Sequence, residues 1–221
     1  MSGSPSSKRF PWLKIALVGV AVAAGTGVGI GVAIAQGSGN GATGTTTIPA
    51  DPGITFAAGK RPAPNFMLRD QAGRTISMQS LRGRTVVLAF IDPVCRNLCP
   101  GEARVLDGVA NGLPRSQRPA IVAVSVNPWG QAASNLRLDA SRWKLVPEWR
   151  WALGDFRSLQ KVWDSYAISV LVHTKTLAGV TVREVDHTEA AYVIDPSGHE
   201  RALFIYPYRS ADVIGAVRRV S

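Results

Sequence analysis

Two uninterrupted apolar runs dominate the pattern of the chain, Thr85 to Ile91 (TVVLAFI) and Ala120 to Val126 (AIVAVSV). Neither alternates with polar residues, which is how strands covered on both faces of a sheet read. Helical spacing follows the first run, with Ala103, Leu106, Val109 and Ala110 on one face between Gly101 and Gly112. After the second run the pattern predicts a helix over 134–145 and a short strand from Trp149 to Leu153. A further helix opens at Asp155, whose carboxylate suits an N-cap, and runs through Trp163. Three hairpins are expected. Phe66–Gly73 pairs with Arg74–Met78, Ile168–Val172 with Val180–Val185 around Leu177-Ala-Gly179, and Ala190–Asp195 with Ala202–Tyr206 through Pro196-Ser-Gly198. Ala211 to Val217 closes the chain as a helix. Strands alternating with helices and ending in a hairpin plus helix imply an α/β domain, a mixed sheet flanked by helices.

A third apolar run has another character. Ile15 to Ala35 holds neither charge nor proline and matches the length needed to cross a bilayer as a helix. Lys8, Arg9 and Lys14 precede it, and the next cation is Lys60. This asymmetry predicts residues 1–14 to be cytoplasmic and the rest exported, a single-pass topology at the cell membrane; the 19 Arg against 6 Lys and the abundant Ala and Gly point to a bacterial source. Ala33-Ile-Ala35 also resembles a signal-peptidase site, so a cleaved leader is the alternative. The run exceeds the usual signal core, which favours a retained anchor. Residues 36–60 are rich in Gly, Thr, Ala and Pro and read as a flexible tether. The globular domain then covers 61–221.

Charge narrows the partners only slightly. The chain carries a formal +10, and the exported part +7 once three cations before the span are removed, since the first acid is Asp51. The basic residues are scattered, and an exported domain does not meet nucleic acid, so no nucleic-acid role is expected.

The chemistry concentrates in Asp92-Pro-Val-Cys95-Arg-Asn-Leu-Cys99-Pro100, which holds the only two cysteines, directly after the first strand. A bridge enclosing three residues restrains little of the unfolded chain and is a poor staple. Function explains the pair better. Pro100 fits the first helical position, making Cys99 the expected N-cap with Cys95 in the preceding loop. Helix-end N–H groups, with Arg96 as a positive neighbour, would favour a thiolate. Spacing alone leaves thiol redox chemistry and metal binding both open. His187, in Val185-Asp-His-Thr188 ahead of the strand from Ala190, adds an imidazole expected at the same sheet edge. Two thiolates and one imidazole form a soft donor set suited to Cu(I) and workable for Cu(II). Asp92 stands where peroxiredoxins place a threonine, which argues against peroxide reduction. Met67 and Met78 are expected in the core, as are Trp143, Trp149, Trp151 and Trp163. His173 and His199 receive no role.

From Pro64 to Arg219 the chain resembles the Sco/SenC family of thioredoxin-fold copper proteins that help assemble cytochrome c oxidase. The resemblance rests on Pro64-Asn-Phe-Met-Leu68, Leu81-Arg-Gly83, Cys95-x-x-x-Cys99-Pro100, Trp151-Ala-Leu-Gly154, and Val185-Asp-His-Thr188 running into Tyr192-Val-Ile-Asp-Pro-Ser-Gly198. It implies a thioredoxin-like fold, an N-terminal transmembrane helix, and copper, Cu(I) or Cu(II), on Cys95, Cys99 and His187. The implied partner is the copper-site subunit of the oxidase, or another copper or thiol partner. Two departures stand out: Arg96 replaces the proline common after the first cysteine, and Asn127-Pro-Trp-Gly130 replaces an aspartate-rich segment. The alternative activity is thiol–disulfide exchange by Cys95 and Cys99, with Cys95 attacking and Cys99 resolving.

Overall fold

Alternation inside the two apolar runs divides the core. In the computed structural model, which describes residue 50 and residues 53–221, strand β4 (Val86–Ile91) sends Val87, Ala89 and Ile91 to one face. Val86, Leu88 and Phe90 go to the other face. Its parallel neighbour β5 (Ala120–Ser125) splits the same way, and all six residues of each strand are buried. Strands buried along their whole length belong in the middle of a covered sheet, and these two lie there. The segments read as cytoplasmic N-terminus (1–14) and membrane anchor (15–35), with most of the tether, lie outside the described residues. Among the described residues no helix is long and apolar enough to cross a membrane.

The remaining strands are β1 (Ile54–Thr55), β2 (Met67–Arg69), β3 (Thr75–Ser77), β6 (Trp149–Ala152), β7 (Val170–Leu177), β8 (Val180–His187), β9 (Ala190–Ile194) and β10 (Glu200–Ile205). The main sheet has the order β1-β10-β9-β4-β5-β6. Strands β4, β5 and β6 run parallel, while β9, β10 and β1 add successively antiparallel pairings. The β2–β3 and β7–β8 hairpins stand as separate two-stranded units. Helices α1 (Cys99–Asn111), α2 (Ala133–Trp143) and α4 (Ser210–Arg218) supply the core on one face, around Leu106, Trp151, Phe204, Tyr208 and Val213. Helix α3 (Phe156–Ser165) and the β2–β3 hairpin cover the other, packing Leu68, Ile76, Leu159, Trp163 and Tyr166 on the sheet.

Most expected elements are found within two or three residues of their sequence bounds, and the mixed sheet covered on both faces is as read. Asp155 caps α3 by accepting from Ser158 N–H at 2.7 Å. The four tryptophans expected in the core are all buried. Four readings change. Ile54–Thr55, inside the expected tether, already belongs to the sheet, paired with Leu203 and Ala202 of β10. A two-residue edge strand in a Gly/Thr/Ala-rich segment carries too little pattern to be seen from sequence. Met67 is 75 % exposed, because in this short hairpin only every second residue faces the core; Met78 is buried as expected. Cys99 is the first residue of α1, with Leu98 at the cap and Pro100 in the first turn. Arg96, the fourth, is turned away from the thiols, as described below.

Candidate metal and dithiol centre

The loop from β4 to α1 is tied down by hydrogen bonds centred on Asp92. Asp92, at the end of β4, accepts from Val94 N–H at 2.8 Å and from Asn127 Nδ2 at 3.2 Å, while its carbonyl accepts from Cys95 N–H at 3.2 Å. Asn127, at the end of β5, in turn caps its own turn through Trp129 and Gly130 N–H. The aspartate thus anchors the loop. Its negative charge opposes ionisation of Cys95, though as a minor influence.

Both cysteines are free thiols, and their surroundings differ sharply. Cys99 is fully buried; Cys95 is half-buried. Protonated, Cys95 donates to Asn97 Oδ1 at 2.8 Å, and its sulfur accepts from Cys99 N–H at 3.4 Å. The Cys99 thiol beside it, helped by backbone N–H groups of Cys99 and Asn97 and opposed by partial burial, brings the Cys95 thiol down to about 6. The same interaction, together with burial and the charge on Cys95, pushes Cys99 well above the ordinary thiol range. One sulfur is a thiolate at neutral pH and the other a thiol, the asymmetry of an attacking and a resolving cysteine. Arg96 contributes nothing to this. Its guanidinium turns back to the Cys95 carbonyl (2.8 Å) and to buried Asp139 of α2 (3.3 Å). There it opposes the burial that raises Asp139 to about 6.

His187 arrives from the far end of the chain as the last residue of β8, paired with Val170. Its Nδ1 stands 3.2 Å from the Thr188 carbonyl, which can only accept, so Nδ1 carries the proton and Nε2 presents its lone pair. Burial lowers the imidazole's pKa and keeps it neutral. Nε2 lies 3.7 Å from Cys99 Sγ, so the two residues brought together by 88 positions of chain face each other with a lone pair and a thiol. Sulfur and nitrogen donors at about 2.3 and 2.0 Å from one ion, at trigonal to tetrahedral angles, stand roughly 3.5–3.8 Å apart. The spacing fits a shared metal. A cavity of about 290 Å³ opens over the site, lined by Cys95, Asn97, His187, Glu189 and Tyr206 among others.

Sequence reasoning missed two carboxylates here. Glu189 is half-buried two residues beyond His187; one of its oxygens, Cys99 Sγ and a His187 ring nitrogen all lie within 4.8 Å of one another. Burial, with the Cys95 charge, raises it to about 7. Glu102, three residues after Cys99 on α1, is wholly buried beneath the site and accepts from Tyr208 Oη at 2.8 Å. Burial lifts its carboxyl to about 8 against that hydrogen bond, and its other oxygen has no partner. An i, i+3 position shares a helix face with Cys99, so Glu102 was within reach of pattern reasoning. Glu189 was not, since nothing in Thr188-Glu-Ala190 marks it. Tyr206 Oη also crowds α1 so closely that a Cβ on Gly101 would stand 2.5 Å from it, which is why glycine occupies that turn. His173 and His199 lie elsewhere, bonded to Asp186 and Ser197 respectively.

A dithiol at the end of a central strand, one sulfur at the start of a helix and the other in the preceding loop, defines a thioredoxin-like domain; the facing imidazole sets it apart within that class. The SCO1/SenC family profile matches residues 57–221, and the chain belongs to that family. No curated protein sequence matches at a significant level. Among solved structures, Bradyrhizobium japonicum ScoI with copper bound is similar at 20 % identity and a TM-score of 0.63, covering 72 % of this chain and 99 % of that one. Yeast Sco1 with copper bound has 19 % identity and a TM-score of 0.63, covering 72 % and 87 %. BsSco, in which a disulfide switch has been identified and which belongs to the Sco family of cytochrome c oxidase assembly proteins, has 18 % identity and a TM-score of 0.57, covering 78 % and 98 %. These likenesses establish the mixed α/β, thioredoxin-like Sco fold.

Proposed function

We propose that this protein binds copper through Cys95, Cys99 and His187 and delivers it to, or matures, the dinuclear copper site of cytochrome c oxidase. The domain would work outside the cytoplasm, tethered by residues 15–35 as a single-pass anchor with the N-terminus inside. The observation that carries the reading is the 3.7 Å approach of His187 Nε2 to Cys99 Sγ, with the imidazole neutral and its lone pair free. Membership of the SCO1/SenC family and the copper in the ScoI and Sco1 structures support it. Cys95 joins by turning its sulfur from Asn97 toward the buried pair, a side-chain rotation within the same cavity. Copper(I) suits two thiolates and an imidazole.

Anaerobic titration of the reduced chain with Cu(I) should show one equivalent bound. Replacing His187 with Ala should weaken that binding by at least about tenfold, the order seen when a metal site loses a supporting group. Binding by His187→Ala as tight as wild type overturns the assignment.

A second reading is favoured by one observation, the unequal thiols. A half-buried Cys95 brought to about 6 beside a buried, protonated Cys99 is suited to reducing a partner's disulfide. Cys95 attacks one partner sulfur and releases the other as thiol; Cys99 then displaces the partner, leaving a Cys95–Cys99 disulfide. A reduction potential too low for any extracytoplasmic donor to regenerate the dithiol would rule this turnover out.

A further inference from the structure

The group of ligand atoms the fold brings closest together contains Glu189 and omits Cys95. Cys99 Sγ, a His187 ring nitrogen and a Glu189 carboxylate oxygen lie mutually within 4.8 Å, whereas the Cys95 sulfur is engaged by Asn97 and the Cys99 N–H. Glu189 is not a passing surface residue. Its carbonyl accepts from Tyr206 N–H at 2.9 Å, which pins the residue where β10 ends. Its carboxylate has no hydrogen-bond or ion-pair partner among the described residues, though the side chain is half-buried. There a half-buried carboxylate converges with a sulfur and an imidazole lone pair, three candidate ligand atoms around one spot. The family resemblance accounts for two sulfurs and a nitrogen there, and leaves the oxygen unexplained.

We infer that Glu189 is a further metal ligand in this chain, adding a carboxylate oxygen to the two-sulfur, one-nitrogen set and strengthening its hold on divalent ions relative to Cu(I). The inference rests on the metal-binding reading above and adds a ligand and a selectivity to it. Carboxylate oxygen is a hard donor: it contributes little to Cu(I), which thiolates satisfy, and much to a borderline divalent ion, which favours four donors of mixed type. Glu189 therefore sets the preference between oxidation states without being required for Cu(I).

Because Cu(II) oxidises thiols, the test uses Co(II), divalent and redox-silent toward them, on the full chain with both cysteines reduced under anaerobic conditions. Wild type should bind Co(II) with thiolate charge-transfer absorption and the intense visible bands of a four-coordinate ion. Glu189→Gln, isosteric and at a half-exposed position, should lower Co(II) affinity at least about tenfold and weaken those visible bands. Its Cu(I) affinity, read by competition with a chromogenic chelator, should stay within about threefold, and Glu189→Ala should give the same ordering. Unchanged Co(II) affinity and spectrum in Glu189→Gln overturn the inference. So does an equal loss of Co(II) and Cu(I), which would make Glu189 a shaping residue rather than a ligand. Failure of wild type to bind Cu(I) overturns the copper reading itself; a Co(II) site lost in Glu189→Gln would still stand in that case, and binding of neither ion removes both.

Discussion

Cys99 holds Cys95 as a thiolate, so deleting one sulfur should be visible in the titration of the other. The Cys99 thiol is the largest influence bringing Cys95 from the ordinary 9.0 to about 6, and partial burial works in the opposite direction. At pH 7 a thiol of pKa 9 is about 1 % ionised and one of about 6 is about 90 % ionised, roughly a ninetyfold gain in thiolate. Lower basicity makes each thiolate less nucleophilic; with a Brønsted coefficient of about 0.4–0.5, some fifteen- to thirtyfold is returned, leaving a rate near pH 7 only about three to six times that of an ordinary thiol. The shape of the pH profile is therefore a sharper readout than the rate. Alkylation by iodoacetamide, on metal-free protein with the modified cysteine located by mass spectrometry, should rise through about pH 6 and level off by pH 7.5, with Cys95 as the site because Cys99 is buried. In Cys99→Ala the donor is gone while the burial stays, so the midpoint should move up by about one pH unit or more. Cys99→Ser, which retains a hydroxyl donor, should fall between. A wild-type profile still climbing at pH 9, or one unchanged in Cys99→Ala, would refute the account.

Two stability predictions follow from the buried acids. The folded carboxyl of Glu102, raised from 4.5 to about 8, keeps its proton where the unfolded one has lost it, so folding stability from this group is present below pH 4.5 and lost as pH rises through about 8. Between pH 5 and 8 that loss amounts to about 4 kcal/mol at most. Urea unfolding of Glu102→Gln, which keeps an acceptor for Tyr208, should show a smaller decline over the same interval; an identical decline would dismiss the buried proton. Arg96→Ala strands Asp139, whose side chain is wholly buried while Arg96 is about half exposed. It should cost about 1–2 kcal/mol at pH 7.5. At pH 5, below the Asp139 value of about 6, the carboxyl is neutral and the cost should shrink; equal costs at both pH values would show that the pair does not matter.

What the sequence made legible was what the sheet determines. Val86–Ile91 is apolar throughout, and Ala120–Ser125 up to its final serine, because both faces are covered, and that alone places the cysteine loop at the carboxyl end of a central strand. The antiparallel run of β9 beside β4 then requires the segment before β9, with His187, to enter at that same end. Topology, read from pattern, brought the imidazole to the sulfurs. Side-chain direction was not legible. Arg96 is one residue from Cys95 and turns to Asp139, a partner 43 positions away that no local spacing announces. Met67 and Met78 look alike in sequence, yet only one faces the core. Glu189 sits among small apolar residues with no period to mark it. Its carboxylate comes near Cys99 and His187 only through tertiary contacts, with Tyr206 N–H holding its carbonyl.

The two sulfurs face different demands, and the fold meets them by placing them in different surroundings. Cys99 sits at the start of a helix inside the core, fixed by packing and faced by a neutral imidazole whose tautomer the Thr188 carbonyl sets. It is a rigid, pre-oriented donor. Cys95 is in a loop held by hydrogen bonds to Asp92, half in water, and ionised by its neighbour. It is the donor a partner can reach. A protein that must take up a metal and pass it on needs a site that opens by one ligand, since exchange proceeds by adding the acceptor's sulfur as an outgoing one leaves. A Cys99–His187 floor beside a solvent-reachable Cys95 would be such a site, and the same thiolate is the one a partner disulfide would meet. On the proposed reading, copper transfer and thiol exchange draw on one asymmetry, and Cys99→Ala, which removes a proposed ligand and the resolving thiol as well as raising the Cys95 midpoint, should impair both together.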